Sequence, residues 1–130
     1  MIIAELTNDL NWLAVIVGAV VAFLLGWLWY SPKMFGTKWA EGVGVELDKV
    51  DAMPIAAMVT QIVGTVLLSV VIGILHASGS MAMTGLVVLT IIMLLVAAGY
   101  FAQKSNYAIA TESGFIVVMT AIMIAAQIMF

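Results

Sequence analysis

The chain predicts an all-α membrane protein: four transmembrane helices in an antiparallel bundle, with a short interfacial helix in the first loop. Three observations lead there. Of 130 residues, 65% are apolar and 8% charged, whereas about one-quarter of a soluble domain is charged. So apolar a chain could not cover its own surface in water. Four segments approach the roughly twenty apolar residues needed to cross about 30 Å of hydrocarbon. Runs such as LVVLTIIMLLVAA lack the alternating polarity of a membrane barrel strand. Backbone groups in lipid must then be paired within helices.

The chain begins MIIAELTNDLN, with Glu5 and Asp9 but no lysine or arginine. A cleaved signal begins with a basic region, so the first apolar run is read as a retained span, about residues 12–30. It closes on Trp27-Leu28-Trp29-Tyr30, and the stretch WLWYSPKMFGTKW holds five of the twelve aromatic residues. Tryptophan and tyrosine concentrate at membrane–water boundaries. Trp12 at one end of this span, and Trp27, Trp29 and Tyr30 at the other, are accordingly expected as interface anchors. Ser31-Pro32 should stop the helix, because the residue before proline is pushed away from helical geometry.

Phe35 and Trp39 are four residues apart and share one face of a short helix, with Lys38 and Glu41 turned elsewhere, the pattern of a helix lying on the membrane surface. Gly42-Val43-Gly44-Val45 lacks the lysine and spacing of a phosphate loop and reads as a helix breaker. A short amphipathic turn, Glu46 to Asp51, is expected to follow it in the loop 31–54.

The remaining spans fall at about 55–77, 81–102 and 107–130, joined by the turn formers Ala77-Ser78-Gly79-Ser80 and Gln103-Lys104-Ser105-Asn106. Short loops make antiparallel neighbours, so these three helices should pack in sequence within a single membrane domain, residues 1–130. All four lysines (Lys33, Lys38, Lys49 and Lys104) lie in the first and third loops, and there is no arginine. The positive-inside rule then puts both loops in the cytoplasm and both termini outside, with the chain multi-pass in the plasma (inner) membrane.

Between helices in lipid, close backbone approach matters more than hydrophobic drive. Ala14, Gly18, Ala22 and Gly26 repeat every four residues and form a smooth groove along the first helix. Ser69, Gly73 and Ala77 form a shorter row on the second helix. Ala97-Ala98-Gly99 on the third, and Gly114, Ala121 and Ala125 on the fourth, are further small-residue contacts. The groove is expected to pack helices within one subunit, with self-association as the competing use.

An ionisable residue inside a membrane is a functional candidate. Glu112, about five residues into the fourth span, is the strongest, and could pair with Lys33, Lys38 or Lys104. Gln61 enters from the same side and could line a polar cavity with it. Gln127 lies near the other end. His76 is the single histidine and there is no cysteine, so no metal or other cofactor is expected, given that a metal site normally needs three or four ligands. A catalytic triad would depend on His76, and no Gly-x-Ser-x-Gly elbow is present. The ten methionines show no repeated spacing. The net charge of −3 gives no reason to expect a nucleic-acid partner.

Asn11-Trp12-Leu13-Ala14-Val15, Trp29-Tyr30-Ser31-Pro32, Phe35-Gly36 and Trp39 together resemble the signature of a small prokaryotic membrane family, Domain of Unknown Function 1761. The resemblance covers the whole chain and implies four membrane helices. The family's small-Gly-aromatic step in the last helix is matched by Ser113-Gly114-Phe115. A histidine often follows that step, and Ile116 stands there instead, so no role resting on that histidine carries over. The family brings no activity with it.

The expected function is that of a non-enzymatic membrane module among lipids, either a homo-oligomer or an accessory subunit of a larger membrane complex. The alternative is a small transporter or channel with a polar path near Glu112 and Gln61. A lipid- or quinone-handling enzyme using the aromatic cluster ranks below both.

Overall fold

Four long apolar helices and one short one are described in the computed structural model, which covers residues 10–44 and 55–130. Helix α1 is Trp12–Trp29, α2 is Gly36–Val43, α3 is Ile55–Ala77, α4 is Met81–Phe101 and α5 is Asn106–Met129. The four long helices are each long and apolar enough to span a membrane. Their limits fall within one residue of those expected. The short helix α2 lies in the first loop. The turn expected from Glu46 to Asp51, and also Lys49, Glu5 and Asp9, lie outside the described residues.

Several helix ends are closed by local chemistry. The Asn11 side chain accepts from the Ala14 amide at 3.2 Å and caps α1, while the Ser105 hydroxyl accepts from the Ala108 amide at 3.0 Å and caps α5. Polar side chains at these positions satisfy amides that have no carbonyl one turn back. Helix α2 runs through Gly42 and stops at Gly44, whose φ of +91° is a left-handed conformation open mainly to glycine. In the α4–α5 turn Gln103 takes φ +59°, and the Lys104 amide reaches back to the Gly99 carbonyl at 3.0 Å. That reversal sends the chain straight into α5.

Helix α5 is the centre of the bundle. It packs on α1, α2, α3 and α4, and most extensively on α1. The expected sequential contacts α3–α4 and α4–α5 are present, and α5 also lies against α1 and α3. The core joins Ala22, Leu68, Ile72, Phe115, Met119 and Met123. Small residues on α1 face large ones on α5. A Cβ on Gly18 would come 3.3 Å from the Met123 backbone, and one on Gly26 would come 2.9 Å from the Phe115 ring.

Ala14 and Ala22 are fully buried, so the groove of α1 is filled from within the chain. On α5, by contrast, Ala121 and Ala125 are exposed. Its contribution to the core is bulk that fills the neighbour's groove. Helix α4 is the outlier and buries only Thr84 and Gly99.

Two buried hydroxyls contrast in a way that can be tested. Ser69 donates to the Val15 carbonyl of α1 at 2.7 Å, whereas the Thr120 hydroxyl is buried with no protein partner among the described residues. Ser69→Ala should lower stability by roughly 0.6–1 kcal/mol, the usual worth of such a bond. Thr120→Val, which keeps the shape and removes an unpaired polar group, should be neutral or stabilising. Thermal melting in one detergent compares the two, and a larger loss for Thr120→Val would contradict the assignment.

Candidate functional site

The buried acid at the lysine-bearing end is Glu112, nearly two turns into α5. It is held from two elements. Lys104 Nζ donates to both carboxylate oxygens, at 3.0 Å to Oε1 and 2.9 Å to Oε2. Trp39 on α2 donates its indole N–H to Oε2 at 2.9 Å. The pair is only partly shielded, with Lys104 25% and Glu112 11% exposed at the side chain. Of the three lysines the sequence offered, the fold selects Lys104.

Lys33 is exposed in the turn after α1. Lys38 is exposed on α2 and sits 5.4 Å from the centre of the Tyr107 ring, a cation–π distance.

The corner between α1 and α2 sets this geometry. The Leu28 carbonyl accepts from the Ser31 amide at 3.1 Å and from its hydroxyl at 2.6 Å. The Trp29 carbonyl accepts from the Phe35 amide at 3.1 Å, and the Ser31 carbonyl takes the amides of Met34 and Gly36. Carbonyls left open at a helix end are thus paired within six residues, with Pro32 exposed on the outside of the bend.

Helix α2 folds back onto the start of α5, where the Gly42 carbonyl accepts from the Ser105 amide at 3.0 Å. A side chain on Gly42 would strike Ser105 and Ala108.

The aromatic residues divide into two groups. Trp12 and Trp27 are exposed, at 51% and 78%, as boundary anchors would be. Trp29, Tyr30, Phe35 and Trp39 instead form one half-buried cluster with Phe115. Trp29 lies 4.7 Å from Phe35, and Tyr30 lies 4.8 Å from Trp39 and 5.5 Å from Phe115. Such tilted pairs contribute about 0.5–1.5 kcal/mol each beyond area burial. The Trp29 indole also donates to the Thr111 carbonyl at 3.0 Å. Its ring lies where a Cβ on Gly114 would make ordinary contact at 3.4 Å.

Gln61 is not brought to Glu112. It is exposed on α3, with its amide donating to Thr65 of the same helix at 3.4 Å. Gln127 is buried near Gly73 at the opposite end. Among the described residues no cluster of three or more metal-ligating side chains occurs.

A family model described as protein of unknown function (DUF1761) matches residues 13–128. The chain belongs to the DUF1761 family. The matched stretch takes in nearly all of the four spans, the corner and Glu112, so the site described here lies within the DUF1761 region. No curated protein and no solved structure matches the chain.

Proposed function

We propose that this small multi-pass membrane protein is a non-enzymatic module, acting as a homo-oligomer or as an accessory subunit of a larger membrane complex. The observation that carries this reading is the state of Glu112. It is tied at both oxygens to Lys104 and Trp39, so the most functional-looking group in the spans is occupied with joining α2 and α5. The apolar surface left uncovered on α3 and α4 suits contacts with neighbouring membrane chains as well as lipid.

In this reading the lysine-bearing end faces the cytoplasm and both termini lie outside, in the inner membrane. The support is that all lysines fall on that side. Purification from native membranes in mild detergent tests the module. A complex larger than one chain, or a stoichiometric partner, is expected, and a lone monomer without partners would refute it.

The transporter alternative requires Glu112 to exchange Lys104 for a proton or cation during turnover. Proteoliposome flux that Glu112→Gln abolishes would favour it over the module.

A further inference from the structure

We propose that the first half of α3 is a self-association surface, on which a second copy of this chain packs its own α3 with Gln61 opposite Gln61. The inference deepens the module reading and rests on it.

The first half of α3 is bare. No residue before Thr65 is buried, and from Ile55 to Gly64 only Met58 is partly covered. Ala57, Gln61 and Gly64 stand at i, i+4 and i+7 and share one side of the helix. A Cβ on Gly64 would meet nothing within 4 Å, so another backbone could come close there.

Gln61 lies six residues beyond the start of α3, roughly 9 Å along the axis at 1.5 Å per residue, and so inside the apolar span. Its amide nitrogen reaches one turn deeper to the Thr65 hydroxyl at a long 3.4 Å, and its amide oxygen has no partner among the described residues. That Thr65 hydroxyl already donates to the Gln61 backbone carbonyl at 2.7 Å. The exposed threonines of the spans are satisfied within their own helix: Thr60 donates to the Ala56 carbonyl at 2.7 Å and Thr90 to the Leu86 carbonyl at 2.8 Å. Acyl chains can cover those surfaces, but they offer no hydrogen bond to a primary amide at that depth.

The chemistry of that amide names the partner. A primary amide carries both donor and acceptor, so two of them related by a twofold axis satisfy each other. With the axis along the membrane normal, both copies keep one orientation and both Gln61 residues sit at the same depth. Ala57 and Gly64 flank the pair and admit close backbone approach, the condition under which membrane helices associate. Helix α4 exposes more apolar surface, with Leu86, Leu89, Met93 and Leu94, but its two threonines, Thr84 and Thr90, already donate to carbonyls one turn back.

The chain has no cysteine, which makes disulfide mapping in membranes clean. Gly64→Cys should cross-link to a dimer in most of the protein on mild oxidation, because a disulfide needs Cα atoms within about 7 Å. Leu94→Cys on α4 should cross-link at least about fivefold less. Adding Gln61→Leu to Gly64→Cys should cut dimer yield several-fold, while the Gln61→Leu chain keeps its thermal melting point. Equal cross-linking at Leu94, or a yield indifferent to Gln61→Leu, overturns the proposal. A native mass showing a larger complex without a Gly64 cross-link overturns this surface and leaves the module reading standing. A monomer free of partners overturns both.

Discussion

Gly36→Ala lowers the thermal stability of the detergent-solubilised protein by about 3 kcal/mol, the upper end of what forced overpacking costs. The added methyl would run into the carbonyl oxygen of Tyr30 and lie 2.7 Å from the carbonyl carbon and oxygen of Ser31. All of these atoms are backbone, so no rotamer change relieves the contact. The corner cannot open freely either, since the Gly36 amide is bonded to the Ser31 carbonyl at 2.9 Å and the Phe35 amide to the Trp29 carbonyl at 3.1 Å. Relief must come from moving α2, which pulls Trp39 off Glu112.

Gly85→Ala is the matched control. Gly85 is exposed on α4 with nothing within 4 Å of a built Cβ, and alanine there should be neutral or stabilising by up to about 1 kcal/mol, because glycine is the poorer helix former. Melting both variants under identical conditions decides the matter. Similar melting temperatures would mean that the corner does not constrain α2.

Glu112→Ala costs about 2–3 kcal/mol. Removing one partner from a buried ion pair leaves the other charge uncompensated, at a cost of about 3–5 kcal/mol when fully buried. Here Lys104 keeps 25% of its side chain exposed and can turn toward water, which lowers the figure. The same substitution strands the Trp39 indole N–H. Trp39→Phe keeps a ring against Tyr30 and removes only the donor, so it should cost about 1 kcal/mol. In Glu112→Ala/Trp39→Phe the two losses should fall short of additive by at least about 0.5 kcal/mol, the mark of groups in direct contact. Additive losses would show that Trp39 and Glu112 are not coupled.

The candidate site was only partly legible in the residue string. Glu112 was legible because it is an acid within a span, and acids are rare there. Its partners were not. Lys33, Lys38 and Lys104 are chemically equal in one dimension. The tight turn at Gln103 is what lays Lys104 back over the first turns of α5. Trp39 lies 73 positions from Glu112, and a tryptophan next to an apolar span reads first as a boundary anchor. The available signal was that an indole N–H is a donor that needs an acceptor when buried. Gln61 carried the opposite ambiguity. Its type suggests a cavity, but a helix can turn an amide inward or leave it bare, and sequence spacing does not say which neighbours reach that level of the bundle.

Composition and run length set the solvent and therefore the architecture. Four apolar runs of membrane length admit only helices, and the proline, glycine and serine punctuation placed their ends within one residue. Those are local consequences of backbone pairing in lipid and of turn chemistry, and they need no knowledge of neighbours. Tertiary structure alone decided that α5 is the hub, that α1 receives Phe115 and Met123 in its small-residue groove, and that α2 is strapped to α5 through Trp39 and the Gly42 carbonyl. Hydrophobicity could not settle these points, since every face of a membrane helix is apolar and lipid is as good a neighbour as leucine. Shape and a few directional polar contacts choose the partners, and both depend on distances that exist only once the chain has folded.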